Sequence, residues 1–209
     1  LTGSTHAIIG ACAAVPVAIL AGGHLALPLC AAAGAFGGLL PDIDHPHSTL
    51  GRWVPWPGVA VENHHSGFVA HGRRWFGRHT VWHRAETHSV GAAGMAAVLT
   101  MVATWWPMWR LLAWASHLHD LPPTHLGFAA GGLAMALAAS VLTGYLSHLL
   151  ADALNVSPQM LWWPFSRRMV HIPRWHGLSE RSAAGQWAEV GAVLVGLVFA
   201  IGLWGGRPA

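Results

Sequence analysis

Lysine is absent from this chain, tyrosine occurs once, cysteine twice, and only 9% of the 209 residues are charged. A soluble domain of this size normally has ~25% charged residues, so this composition excludes an ordinary water-covered surface. Cys12 and Cys30 are too few and too far apart for a thiolate metal cluster. Both fall in apolar stretches, where cysteine behaves as a small buried hydrophobe and says nothing about redox compartment. The opening residues lack a basic stretch and a small-residue cleavage site, so no cleavable signal peptide is expected.

What the chain does have is apolar: 54% of residues are hydrophobic and 13 are Trp. All eleven basic residues are Arg. Trp at the headgroups and Arg in loops are what a bilayer interface selects, so the high isoelectric point is not a nucleic-acid signal. Five apolar segments stand out, at residues 7–23, 25–40, 91–113, 127–151 and 188–204. A spanning helix wants ~20 apolar residues, which the third and fourth segments satisfy comfortably. Pro16 and Pro28 interrupt the first two, which could form a re-entrant hairpin; two spans is the reading adopted. The fold expected is an all-α polytopic membrane helix bundle, a single membrane-embedded domain over residues 1–209.

Arginine placement orients that bundle. Arg52, Arg73, Arg74, Arg78 and Arg84 fall in the loop 41–90, and Arg167, Arg168, Arg174 and Arg181 in the loop 152–187. Only Arg110 and Arg207 fall on the alternate side. Nine against two is a positive-inside bias, so both long loops and the N-terminus are expected in the cytoplasm, at the inner membrane. These loops are rich in Trp, Pro, Gly and His without strand alternation, and short helices on the membrane surface are expected there.

Three of the eight acidic residues sit at span ends beside histidine. Pro41-Asp42-Ile43-Asp44-His45 follows the second segment, and Pro41 should stop the helix at Leu40. The two aspartates are then expected on an extended turn with diverging side chains, one to ligate a metal and the other to orient a His or bridge a second ion. An ordinary polar helix end is the plainer reading of a lone Asp, less so of two with a His. His83-Arg84-Ala85-Glu86-Thr87-His88-Ser89 precedes the third segment, with Thr87 or Ser89 a plausible helix cap. Two histidines and an Arg at a helix start suit a metal and a phosphate together. They also suit a plain interfacial anchor, and the motif alone does not decide. His148 and Asp152, four apart at the end of the fourth segment, project from one helix face. Such a pair can share one ion or simply a hydrogen bond, but ionisable groups at the edge of a long apolar span are rare and expensive. His6 precedes the first segment and Glu189 opens the fifth, so every segment presents a His, Asp or Glu at the same face.

These residues, in this order, resemble the YdjM-type membrane-bound metal-dependent hydrolases. The resemblance rests on His6, Leu40-Pro41-Asp42-Ile43-Asp44-His45, His83-Arg84-x-x-Thr87-His88-Ser89 and Gly144-Tyr145-x-Ser147-His148-x-x-x-Asp152, and runs to about Glu189. That family is in turn distantly similar to zinc-dependent phospholipases C and related single-strand nucleases, helical enzymes that hold metal ions with His, Asp and Glu. The resemblance implies His6, Asp42, His88, His148 and Asp152 as ligands, with Asp44, His83 and Glu189 as further candidates. Ala85-Glu86 departs from the family, which often has Gly and an aromatic there, and the Trp- and His-containing stretch 52–81 is not covered by its motifs.

The function expected is therefore metal-dependent hydrolysis of a phosphoester, with a lipid headgroup as one substrate class. A divalent ion, zinc by its mixed N/O ligation with iron or manganese also fitting, would acidify bound water. Asp42 or Asp44 would act as base, and Arg84, secondarily Arg168, would hold phosphate oxygens. Membrane lipid is the expected partner; no extended basic–aromatic groove calls for a specific nucleic-acid partner. The rivals are a metal transporter, a sensor and a scaffold with a structural metal. A transporter should carry ionisable residues near mid-span, and these spans are almost clean of charge.

Overall fold

Thr2 starts the first helix: its extended backbone and its Oγ1, which accepts from the Thr5 N–H at 3.4 Å, make a side-chain cap. Helix α1 runs Gly3–Ala13, breaks at Ala14, and resumes as α2 over Val15–Leu20. Pro16 causes the break, because it has no N–H for the carbonyl one turn back and its ring crowds that turn. The combined rod Gly3–Leu20 is 18 residues long, ~27 Å at helical rise, close to a hydrocarbon core of ~30 Å. The chain then reverses through Gly22, whose φ of 128° suits glycine.

The computed structural model describes residues 2–22, 26–44, 48–53, 86–119, 123–153, 159–170 and 191, and for residue 44, 115–119 and 123–128 the backbone only. The expected segment 188–204, with the exception of residue 191, lies outside the described residues, as do His83, Arg84 and Glu189. Helix α3 is Leu27–Leu39, with Pro28 in its first turn where a missing N–H costs nothing. Helix α4 is Val90–His119, capped by the Ser89 hydroxyl, which accepts from the Ala92 N–H at 3.1 Å. Helix α5 is Pro123–Ala153. No strand occurs among the described residues, and the architecture is an all-α bundle.

Among the described residues, three helices are long and apolar enough to cross a membrane: Gly3–Leu20, Val90–Trp114 and Ala129–Ala153. The second expected segment is realised as α3, which at 13 residues is shorter than a full span. It lies between α1 and α5 and packs against both, while α4 packs along α5.

The packing is inside-out relative to a soluble bundle. Most of the buried hydrophobic residues are small, among them Ala14, Ala18, Ala93, Ala130, Ala134 and Ala138, while Leu99, Val102, Trp106, Met135 and Leu150 face outward. Lipid solvates such a large apolar exterior, and small residues let helix backbones close on one another. Gly34 is the tightest point: a Cβ there would run into the Gly10 carbonyl, and one on Gly144 would run into the Gly34 carbonyl. Three helices therefore meet backbone to backbone at one level.

The 40–44 segment corrects the sequence-based expectation. Leu40 has α-helical dihedrals despite the following proline, and the chain continues as a 3-10 turn over Leu40–Asp44, not as extended backbone. Pro41 is fully buried, and packing of its ring at the bundle end overrides the local preference of a residue before proline.

Candidate metal centre

Four chain segments end at the same point of the bundle. His6 lies in the first turns of α1, Asp42 in the 3-10 turn after α3, His88 at the end of the 3-10 turn Glu86–His88 before α4, and His148 with Asp152 in the last turns of α5. His6, His88, His148 and Asp152 are at most 2% exposed, whereas Asp42 is 22% exposed. Burying so many ionisable groups in an apolar bundle is costly unless they are paired or hold a metal.

The distances fall in a narrow band. His88 Nε2 lies 3.4 Å from Asp42 Oδ1 and 3.6 Å from Asp152 Oδ2. His148 Nε2 lies 3.6 Å from Asp42 Oδ1 and 3.7 Å from Asp152 Oδ2. His6 Nε2 lies 3.5 Å from Asp152 Oδ1. Charge-assisted hydrogen bonds would close to ~2.7–2.9 Å. Donor atoms sharing a tetrahedral ion at ~2.0–2.2 Å stand ~3.4 Å apart, and the observed spacings match that instead. Two overlapping ligand groups result, His6–His148–Asp152 and Asp42–His88–His148, with the candidate ligand atoms of each within 4.8 Å of one another.

Hydrogen bonding aims these ligands. The Nδ1 of His148 lies 2.7 Å from the Gly38 carbonyl, which can only accept, so Nδ1 carries the hydrogen and Nε2 points to the carboxylates. His148 Nε2 and His6 Nδ1 are buried and have no hydrogen-bond partner among the described residues. His6 and His148 stack with ring centroids 3.7 Å apart, and His88 meets His148 edge-on at 5.3 Å. The Tyr145 hydroxyl donates to the Thr87 carbonyl, tying α5 to the turn that carries His88. Burial pushes the Asp42 carboxyl up, but its close neighbours His88 and His148 outweigh that and hold it down to about 2. Asp42 thus remains a carboxylate at any physiological pH. This donor set, three imidazoles with two carboxylates, fits a divalent ion such as zinc, iron or manganese.

Of the residues expected at the site, the fold brings together His6, Asp42, His88, His148 and Asp152. Asp44 sits in the same 3-10 turn as Asp42, with its side chain outside the description, and His83, Arg84 and Glu189 are outside the described residues. Sequence reasoning missed Gly38, whose carbonyl orients His148 and whose Cα leaves no room for a Cβ against the His6 carbonyl. The signal was present as Gly34-x-x-x-Gly38, a spacing that lets membrane helices approach closely. It also missed the tie from Tyr145, the single tyrosine of the chain.

No curated protein and no solved structure matches the chain. The family model described as YdjM inner membrane protein matches residues 1–208, and the chain belongs to that family.

Proposed function

We propose that this protein is a membrane-bound, metal-dependent phosphoester hydrolase with its centre at the cytoplasmic face of the inner membrane. The observation that carries the reading is the meeting of His148 Nε2, buried and without a hydrogen-bond partner among the described residues, with two carboxylates at 3.6 and 3.7 Å. Because Gly38 takes the Nδ1 hydrogen, Nε2 is the nitrogen left to face the two carboxylates, the arrangement that a divalent cation would bridge. When bound, a zinc-like ion supplies Lewis acidity and lowers the pKa of its water to ~7.

The protein's own residues divide the remaining work. His6, His88, His148 and Asp152 form the buried wall. Asp42, the candidate ligand with the greatest exposure, faces the side from which water and substrate arrive, and its carboxylate is placed to orient water there. Arg84, four residues before His88, is the candidate for gripping phosphate oxygens by paired N–H bonds. A centre at headgroup level suits a phospholipid headgroup as substrate. The cytoplasmic assignment is supported by the nine Arg of residues 41–90 and 152–187, against Arg110 and Arg207 in the rest of the sequence.

A second reading, a structural metal in a non-enzymatic scaffold, is favoured by the near-complete burial of four ligands. The two separate in one assay. Purified protein with bound metal is given a chromogenic phosphodiester and mixed phospholipids. Hydrolysis lost in His148→Ala and in Asp152→Ala supports the enzyme. Metal without hydrolysis of any phosphoester supports the scaffold.

A further inference from the structure

The segment Gln159–Val170 is absorbed by neither the candidate metal ligands nor the spans, yet it is bolted to α5, which carries His148 and Asp152, and to the start of α4, just past His88. Its ends pair across an antiparallel bridge, Gln159 N–H to the Val170 carbonyl at 3.1 Å and Val170 N–H to the Gln159 carbonyl at 2.8 Å. Gln159 is buried, and its Nε2 donates to the carbonyl of Leu149 at 2.9 Å, one residue past His148. The Leu161 and Trp163 carbonyls accept the Val90 and Gly91 N–H groups at 2.9 and 3.1 Å, the first amides of α4 and so just past His88. Gly91 allows this approach, since a Cβ there would run into the Trp163 carbonyl.

Outward, this fixed loop presents side chains that a water-facing loop would not. Trp162 is 53% exposed and Phe165 89% exposed, and Arg167 and Arg168 beside them are also exposed. Residues 159–170 contain no Asp or Glu, and neither Arg has an ion pair among the described residues. Exposed aromatics and Arg at the end of a lipid-solvated bundle belong at the headgroup boundary, with rings in the interface and charges at phosphate level. Guanidinium forks match phosphate oxygens two bonds at a time, and the positive charge of the pair favours a lipid of net negative charge.

We propose that Gln159–Val170 is a lipid clamp, in which Trp162 and Phe165 enter the membrane interface and Arg167 and Arg168 hold the phosphate of an anionic phospholipid beside the metal centre. The clamp concerns lipid capture and stands independently of whether the centre hydrolyses anything. Its rigidity follows from the four backbone bonds and the Gln159 anchor, which keep the captured headgroup in register with the starts of α4 and the end of α5.

The test uses the full chain in micelles containing equal phosphatidylglycerol and phosphatidylcholine, followed by detergent washing and counting of retained lipid per protein. Wild type should retain phosphatidylglycerol in preference to phosphatidylcholine, and Arg167→Gln/Arg168→Gln should lose that preference several-fold while its metal content stays at the wild-type level. Trp162→Ser/Phe165→Ser should lower retention of both lipids. Undiminished phosphatidylglycerol preference in the double Gln variant overturns the proposal. So does displacement of the lipid by millimolar inorganic phosphate, which would make this a site for free anions.

Discussion

The Nδ1–H of His148 donates to the Gly38 carbonyl at 2.7 Å, and that bond selects which nitrogen meets the carboxylates of Asp42 and Asp152. The carbonyl belongs to the last turn of α3 and the imidazole to α5, so the orientation depends on how closely the two helices approach. Backbone packing and ligand geometry are therefore one problem in this protein.

Gly38→Ala tests that link without touching a ligand side chain. A Cβ at this position collides with the His6 carbonyl, so α1 and α3 must separate and both His6 and His148 shift. Loss of a partner that orients a metal-bound His typically weakens the metal by ~10–100-fold, and a loss of that order is expected here. Titration with cobalt or zinc in detergent measures it, alongside circular dichroism to show that helix content persists. Affinity within about twofold of wild type would contradict the role given to Gly38.

Tyr145→Phe removes only the hydroxyl that reaches the Thr87 carbonyl. Losing that bond costs about 0.5–1.5 kcal/mol. The turn Glu86–His88 should loosen, so the rise in melting temperature on adding metal should be smaller than in wild type. An identical metal-induced rise would show that Tyr145 does not hold His88 in place.

The face of the membrane can be read by labelling. Arg52 is exposed in the 3-10 turn Gly51–Trp53 at the site end of the bundle. Arg52→Cys, in a background with Cys12 and Cys30 changed to Ala, should resist a membrane-impermeant maleimide in intact spheroplasts and react in inverted vesicles. Reaction in intact spheroplasts would place the centre on the opposite side from the one the Arg distribution indicates.

Much of this arrangement is legible in the chain itself, for physical reasons. Long runs without charge mark α4 and α5, and the i,i+4 spacing of His148 and Asp152 puts both on one helix face. Ser89 carries its cap function in its hydroxyl, so it too can be read locally. What escapes is decided between helices. The Gly38 carbonyl is a backbone atom that no residue type announces, and the contact of Gly10 with Gly34 depends on the relative rotation of α1 and α3. The 3-10 turn at Leu40–Asp44 escapes because the local rule before proline loses to burial of Pro41 in the assembled bundle. The clamp at 159–170 escapes because Gln159 is an ordinary polar residue until Leu149 is placed beside it.

Metal content is the most direct test of the centre itself. The full-length protein, purified without chelators or metal-affinity resin, is assayed by inductively coupled plasma mass spectrometry beside the His148→Ala/Asp152→Ala variant, with matched helix content. The account predicts a stoichiometric divalent transition metal in wild type and its loss in the double variant. Wild-type protein with no more metal than the variant, even after incubation with zinc, iron or manganese, would contradict it.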